Sequence, residues 1–179
     1  SNPYDAKGLL KSAIRDNDPV LFMESERMYG EKGEIPDGEY LLPIGVANVA
    51  KEGKDVTIVS FGKMMKVALG AAEELAKEGI DAEVIDLRTI RPWDKAAVLK
   101  SVRKTNRLVV VDENWPFGSV ASEIAYRVQK DAFDYLDAPV LRINQADTPL
   151  PFTPTLIDAS LPSVERTVRA VKEVMYLVK

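Results

Sequence analysis

The chain of 179 residues is long enough to bury one substantial core, and its 46% hydrophobic and 29% charged residues are typical of a globular domain. A net charge of -4 gives no electrostatic reason to bind nucleic acid or an anionic membrane, and no apolar run reaches the ~20 residues of a membrane-spanning helix. The absence of cysteine excludes disulfides and zinc–thiolate sites and fits a cytoplasmic protein. The absence of histidine removes the commonest general base, so catalysis by this chain alone would need other side chains.

The first 29 residues predict a helix followed by a short strand. Apolar side chains recur with helical spacing between residues 4 and 15, and Pro19 ends the helix because it disfavours a helical residue before it. Residues 20–23 are all apolar and are predicted to form a buried strand. One helix and one strand cannot bury a core, so this appendage is expected to pack on another domain.

Residues 30–45 contain glycines and prolines between charges and are predicted to be a linker. From residue 46 strands and helices alternate. Strands are predicted at 46–50, 56–61, 82–87, 108–111 and 140–143, and helices at 67–78, 94–104, 119–132 and from 163 to the end. This alternation predicts an α/β fold: a three-layer, doubly wound, mostly parallel sheet with helices on both faces.

Local signals refine these elements. Asp94, Ser119 and Ser163 are predicted N-caps. The first two strands flank a Glu-Gly-Lys-Asp turn at residues 52–55, which predicts a hairpin. Three prolines in residues 147–154 predict an extended connection to the last helix.

Three loops follow strands at the edge where such sheets usually bind ligands. Residues 61–64 lead from a strand into a helix, as phosphate loops do, but lack the glycine-rich fingerprints, so a tight turn is favoured. In the second loop, Arg88 and Arg91 could grip a phosphate or carboxylate, but pairing with a neighbouring acid, or an interface, is favoured.

The third loop, residues 112–119, combines two carboxylates with two aromatic residues. Asp112 and Glu113 could perform acid–base chemistry, but adjacent residues at a strand end need not face one another. Trp115 and Phe117 are costly to expose at a loop tip and indicate a covering partner. An intermolecular contact is therefore favoured over catalysis.

Residues 5–19, 53–60 and 83–92 resemble segments of the β subunits of the thiamine-diphosphate-dependent 2-oxoacid dehydrogenases. Residues 113–118 and 146–152 most resemble the pyruvate dehydrogenase type, and acetoin dehydrogenase is a close sibling. The resemblance extends over essentially the whole chain. It implies an enzyme that oxidatively decarboxylates pyruvate with thiamine diphosphate and magnesium and transfers the acetyl group to lipoyl.

Family β subunits are much longer and begin with a cofactor-binding domain that carries the activating glutamate and a catalytic histidine. Both would lie before Ser1, so the chain is expected to be a C-terminal portion, inactive alone, with no catalytic or cofactor-binding residues of its own. Residues 1–29 are expected to be a remnant of the cofactor-binding domain, and residues 46–179 a transketolase-like C-terminal domain. The expected location is the cytoplasm, as in bacteria.

The resemblance also implies ligands and partners. Relatives bind potassium at the segment that matches Ala13, Ile14, Asp16 and Asp18. Oxygen atoms at a helix C-terminus suit such a cation, although the two acids could simply cap the turn. The expected partners are the α subunit, a second β subunit, and the subunit-binding domain of the dihydrolipoyl acyltransferase, which pairs a basic residue with the position of Asp137.

Other interpretations remain open. The chain could come from a sibling 2-oxoacid or acetoin dehydrogenase β subunit, or be a stand-alone, non-catalytic interaction domain. The appendage argues against a stand-alone domain, and the lack of a phosphate fingerprint argues against a small ligand-binding protein. Transketolase and deoxyxylulose-phosphate synthase share the expected fold, but residues 115–116 and 148–152 favour the dehydrogenases.

Overall fold

A computed structural model describes residues 1–178, in which five strands alternate with α-helices. In chain order the elements are α1 (Pro3–Arg15), β1 (Asn48–Lys51), β2 (Val56–Ser60), α2 (Met65–Lys77), β3 (Ala82–Asp86), α3 (Lys95–Thr105), β4 (Leu108–Val111), α4 (Val120–Ala132), β5 (Leu141–Ile143), α5 (Pro154–Ser160) and α6 (Val164–Val174). None of these helices has the length and apolar character needed to span a bilayer.

The strands form one sheet in the order β1-β3-β2-β4-β5. β2 runs parallel to both β3 and β4, and β5 runs parallel to β4, whereas β1 is antiparallel to β3. Every residue of β2, β3 and β4 is buried, as expected for parallel strands covered on both faces. The prediction of a doubly wound, mostly parallel α/β sheet is confirmed.

Two hydrophobic cores lie on opposite faces of the sheet, because successive strand residues point to opposite faces. On one face Ile58 of β2 packs in the same cluster as Leu75 of α2 and Val171 of α6. On the other face Val59 packs with Val102 of α3 and with residues of α4. Burying each such side chain contributes roughly 1.5–3 kcal/mol, so the two cores stabilise the sheet from both faces.

The predicted N-caps are confirmed. The side chain of Asp94 accepts a hydrogen bond from the backbone N–H of Ala97 at 2.9 Å. Ser119 and Ser163 cap α4 and α6 in the same way. These caps satisfy N–H groups that have no partner within the helix, so local sequence sets where these three helices begin.

The predicted hairpin is wrong. β1 pairs with β3, not with β2, with Val49 opposite Ile85. The parallel crossover through α2 places β3 beside β2, between β2 and β1. Residues 52–55 therefore cross the start of β3 to connect β1 to β2. Two strand spacings amount to only about 10 Å, which four residues span easily. Gly53 makes the crossing possible, because a Cβ there would lie 2.3 Å from the backbone carbon of Ala82.

Three further predictions differ from the structure. Residues 20–23 do not form a strand, and Leu21 and Met23 are 86% and 83% exposed, because no described strand lies beside this segment. The connection after β5 is irregular at 147–153 but then contains α5, which begins with Pro154, a residue favoured in the first helical turn. α6 ends at Val174, before the predicted apolar position Val178.

Replacing Gly53 with alanine is expected to destabilise the fold by at least about 2 kcal/mol, since the new methyl group would collide with backbone rather than with a movable side chain. Urea denaturation of the two proteins measures the difference. Gly30→Ala is the matched control, because no atom lies within 4 Å of a Cβ built there. Equal losses for both variants would contradict the close approach.

Glu83, the second residue of β3, is charged and only 3% exposed. Burial alone would raise its pKa, but hydrogen bonds from Lys104 and Ser101 outweigh burial and hold the pKa of Glu83 below its usual 4.5. The same hydrogen bond, which Lys104 donates to Glu83, raises the pKa of Lys104 above its usual 10.5. The backbone N–H of Gly53 also donates to Glu83, at 3.4 Å, so the carboxylate fastens the β1–β2 crossing to α3.

The depressed pKa of Glu83 makes stability dependent on pH. Its contribution is fully present above pH 4.5 and is lost as the pH falls through the lower pKa of the folded state. Glu83→Gln is expected to cost about 1–3 kcal/mol at neutral pH and to flatten this acid loss. Urea denaturation between neutral and acid pH measures both effects. Glu74→Gln, at an exposed i,i+3 pair with Lys77, should leave the pH profile unchanged, and an unchanged profile for Glu83→Gln would refute the assignment.

Candidate functional site

The order of the strands creates a crevice at the carboxyl ends of β2 and β4. From β2 the chain crosses in one direction to β3 and later returns to the other side to place β4 and β5. The loops after β2 and β4 therefore diverge, which is where open α/β sheets usually bind ligands. Residues 61–64 and 112–119 form the two sides of this crevice.

The loop after β2 is a tight turn, as the sequence predicted in preference to a phosphate loop. It forms a short 3-10 turn over Gly62–Met64 that leads directly into α2, and Gly62 has a φ of 56°, which favours glycine. Lys63 projects from this turn and forms a salt bridge with Glu113 across the crevice. The turn thus places one cation at the crevice, where Glu113 of the loop after β4 is its acidic partner.

The two carboxylates after β4 are directed to different partners. Asp112 is fully buried and accepts hydrogen bonds from the backbone N–H groups of Asn114 and Ala121, at 3.0 and 3.1 Å. It therefore stabilises the positive N-terminal end of α4. Glu113 is half-buried and pairs with Lys63. Because each acid is engaged separately, the geometry does not support paired acid–base work.

The aromatic tip of this loop is exposed. Phe117 is 92% exposed and Trp115 51% exposed. The indole N–H of Trp115 donates to the carbonyl of Thr148 at 3.0 Å, which ties the loop to residues 147–153. The exposed apolar residues of these two segments and of the first turn of α5 are called the edge surface below: Trp115, Phe117, Leu150, Phe152 and Leu156. The cost of exposing so much apolar area favours a covering partner.

The loop that follows β3 and contains Arg88 and Arg91 anchors α1. A guanidinium nitrogen of Arg88 lies 2.6 Å from a carboxylate oxygen of Asp5, and these side chains are only 12% and 1% exposed. The expectation that Arg88 pairs with a neighbouring acid is confirmed, whereas Arg91 is exposed. Arg88 has a φ of 58°, and its backbone N–H donates to Asp86 at 3.0 Å. No sequence signal connects Asp5 to a residue so distant in the chain.

The anchoring of α1 extends along the linker. The rings of Tyr4 and Tyr40 stack with centroids 4.7 Å apart. Gly8 lies under Leu42, where a Cβ would come within 2.6 Å of the leucine side chain. α1 is therefore fixed to the carboxyl edge of β3 by a buried ion pair and to the linker by close packing.

The structure places the four residues of the expected potassium segment at the C-terminal end of α1. The carbonyl of Ala13 accepts from the backbone N–H of Asp16 at 3.3 Å, and Asp16 accepts from the N–H of Asp18 at 2.9 Å. Ile14, Asp16 and Asp18 are exposed. The segment offers oxygen atoms of the right kind, and the carboxylate of Asp16 also stabilises the turn.

Asp137 lies at the opposite end of the sheet, before β5. Its carboxylate Oδ2 is 3.2 Å from a guanidinium nitrogen of Arg107, and its side chain is 53% exposed. Its backbone carbonyl accepts from the hydroxyl of Tyr176 at 2.8 Å. The position is thus held rigidly, while the carboxylate remains accessible. Arg107 is the neighbour that sequence reasoning did not identify.

A cleft of about 260 Å³ opens within the crevice. Arg27, Lys63 and Glu113 form its charged end, and Leu150, Ile157 and Leu161 form its apolar wall. Asn114 and Gln145 lie between, and Gln145 can donate to the carbonyl of Glu113 at 3.1 Å. Sequence reasoning missed Arg27 and Ile157, because both come from segments far from the loops it selected.

Comparison with known proteins identifies the fold. Residues 45–167 match the family model described as "Transketolase, C-terminal domain". The chain belongs to the transketolase C-terminal domain family. A solved structure described as "Split gene transketolase, inactive beta4 tetramer" is similar, with a TM-score of 0.69 and 31% sequence identity over 78% of this chain and 45% of that one.

Longer relatives contain this transketolase C-terminal domain together with other sequence. The chain is 54% identical to the rice (Oryza sativa subsp. japonica) mitochondrial pyruvate dehydrogenase E1 component subunit beta-1, over 97% of the chain and 48% of that protein. It is 50% identical to the acetoin:2,6-dichlorophenolindophenol oxidoreductase subunit beta of Cupriavidus necator, over 98% of the chain and 52% of that protein. The chain thus spans about half the length of these relatives.

Breaking the buried ion pair is expected to detach α1 from the transketolase C-terminal domain. Arg88→Met leaves Asp5 charged and buried without its partner, at a cost of about 3 kcal/mol. Limited proteolysis should then cut within α1 faster. Arg15→Met, which removes an exposed pair with Glu39, is the control and should cost under about 1 kcal/mol. Combining Arg88→Met with Asp5→Leu should recover part of the loss, and strictly additive losses would contradict the coupling.

Proposed function

We propose that the chain is the C-terminal portion of the β subunit of a pyruvate dehydrogenase E1 component. The complete enzyme would decarboxylate pyruvate oxidatively with thiamine diphosphate and magnesium and transfer the acetyl group to lipoyl. The observation that carries this proposal is the 54% identity to the rice β subunit over 97% of the chain. The substrate and cofactor belong to the complete enzyme.

Within that enzyme, this portion would serve assembly rather than chemistry. No three acidic, histidine or cysteine side chains of residues 1–178 are grouped so that they could hold a metal ion. The two crevice carboxylates are also engaged, Asp112 with the N-terminus of α4 and Glu113 with Lys63. These residues do not fit a magnesium-bound diphosphate, so we derive no step of the reaction from them. In the longer relatives, the catalytic glutamate and histidine would lie N-terminal to the part that aligns with this chain.

Two exposed apolar regions support the assembly role. In the apolar segment 20–23, Val20, Leu21 and Met23 are exposed, as expected of a strand that pairs within the preceding domain. The edge surface is the second region, and Phe117 and Phe152 are 92% and 97% exposed there. The α subunit and a second β subunit are the partners that would cover these regions. For a bacterial source we propose a cytoplasmic location.

A second candidate is the β subunit of an acetoin dehydrogenase. The 50% identity to the Cupriavidus necator protein over 98% of the chain favours it almost as strongly. Both candidates give this portion the same role in assembly. Activity of the complete, assembled enzyme with pyruvate and with acetoin distinguishes them.

We also propose that potassium binds at the C-terminal end of α1 in the complete enzyme. The carbonyls of Ala13 and Ile14 carry the partial negative charge of a helix terminus, and the carboxylates of Asp16 and Asp18 add formal charge. A hard cation prefers such oxygen ligands. The preceding domain would contribute a further ligand, so binding should be weaker in this chain alone.

The third proposed partner is the subunit-binding domain of the dihydrolipoyl acyltransferase, which would dock at Asp137. Arg107 and Tyr176 hold this residue in place, so its exposed carboxylate is oriented before a partner arrives. A fixed acid loses little side-chain entropy when it pairs with a basic residue of the partner. Docking at this acid should also weaken as salt is added.

Asp137→Ala is expected to weaken binding of the subunit-binding domain about fivefold, the worth of one exposed ion pair. Calorimetric titration of the chain with that domain, at low and moderate salt, measures the change. Asp134→Ala is the control, because Asp134 is an exposed acid three residues away. Equal effects of the two variants would show a general charge effect, and no binding by the parent chain would favour a stand-alone domain.

A further inference from the structure

The cleft between Lys63 and Ile157 carries an uncompensated positive charge. Its lining contains two cations, Arg27 and Lys63, and one carboxylate, Glu113. Glu113 is already paired with Lys63, and no acid of residues 1–178 forms a salt bridge with Arg27. The charged end therefore has a net charge of about +1, which favours one anionic group.

The opposite wall of the cleft is apolar. Leu150 comes from the connection after β5, Ile157 from α5 and Leu161 from the residue that follows that helix. A second cleft of about 190 Å³ shares Asn114, Gln145 and Leu150 with the first and extends to Trp115. An occupant that reaches Arg27 would thus have aliphatic and aromatic surface on its other side.

The cleft is open to solvent, and its volume of about 260 Å³ lies just below the ~300–1,000 Å³ of pockets for drug-sized molecules, so it suits a small molecule. The cleft also lies at the switch point of the sheet, the usual ligand position in this architecture. Position, charge and apolar wall are three separate observations, and together they describe a small amphiphilic anion.

We propose that this cleft binds a monocarboxylate with a short branched aliphatic chain. The carboxylate pairs with the guanidinium of Arg27, which is suited to planar, two-pronged contact. The amides of Asn114 and Gln145 flank it, and the aliphatic chain packs on Ile157 and Leu150. The site uses only this chain's residues and goes beyond the proposed function. Because Leu150 also belongs to the edge surface, the monocarboxylate and a partner on that surface would compete for it.

The test titrates the isotopically labelled chain with 3-methylbutanoate and follows amide signals by NMR. The side-chain NH2 groups of Asn114 and Gln145 should shift with a common dissociation constant in the millimolar range. The neutral analogue 3-methylbutanamide should bind at least about tenfold more weakly, because it lacks the charge that Arg27 requires. Acetate and inorganic phosphate, which lack the aliphatic chain, should also bind more weakly.

Two variants separate the parts of the site. Arg27→Gln should weaken binding of 3-methylbutanoate about tenfold, and Arg169→Gln, at an exposed arginine of α6 outside the cleft, should not. Ile157→Ala should weaken 3-methylbutanoate but not acetate. Unchanged spectra in the parent chain, equal binding of the amide, equal binding of phosphate, or insensitivity to Arg27→Gln would each overturn the proposal.

Discussion

The burial of β2, β3 and β4 on both faces is the constraint on which the rest of the structure depends. Polar side chains along these strands are costly unless each has a partner. Thr57 meets this requirement with the hydroxyls of Ser101 and Thr105, both at 2.6 Å, and Ser60 donates to the carbonyl of Val111 at 2.8 Å. Glu83 is paired with Lys104. No buried side-chain nitrogen or oxygen of these three strands lacks a hydrogen-bond partner.

The same constraint concentrates chemistry at the carboxyl edge of the sheet. There the loops fix Arg88 on Asp5, Lys63 on Glu113 and Asp112 on the N-terminus of α4. These pairs hold the loops but leave exposed the edge surface, the side chains of Leu21 and Met23, and Arg27. The core is thus complete within this chain, whereas its edges are suited to partners.

Much of this fold could be predicted from the sequence, because the decisive signals are local. Continuous apolar runs indicated the buried strands, and Asp94, Ser119 and Ser163 marked helix starts through side chains that cap within three residues. The strand at 20–23 was predicted wrongly from apolarity alone, since strand formation requires a neighbour that a local pattern cannot supply.

The other features that the sequence did not predict depend on how the chain is connected in space. The hairpin prediction failed because only the parallel crossover decides that β3 lies between β1 and β2. Arg88 was correctly expected to pair with an acid, but its partner Asp5 is distant in sequence. The cleft combines Arg27, Lys63 and Ile157 from three separate segments, so no spacing in the sequence predicts it.

The pairing of both crevice carboxylates implies that this chain alone does not bind thiamine diphosphate. Calorimetric titration of the chain with thiamine diphosphate and magnesium tests it most directly. No measurable heat of binding is expected, because the crevice carboxylates are engaged and no group of acids in the described residues can hold the metal. Tight, magnesium-dependent binding by this chain alone would contradict the account and place the cofactor site within these residues.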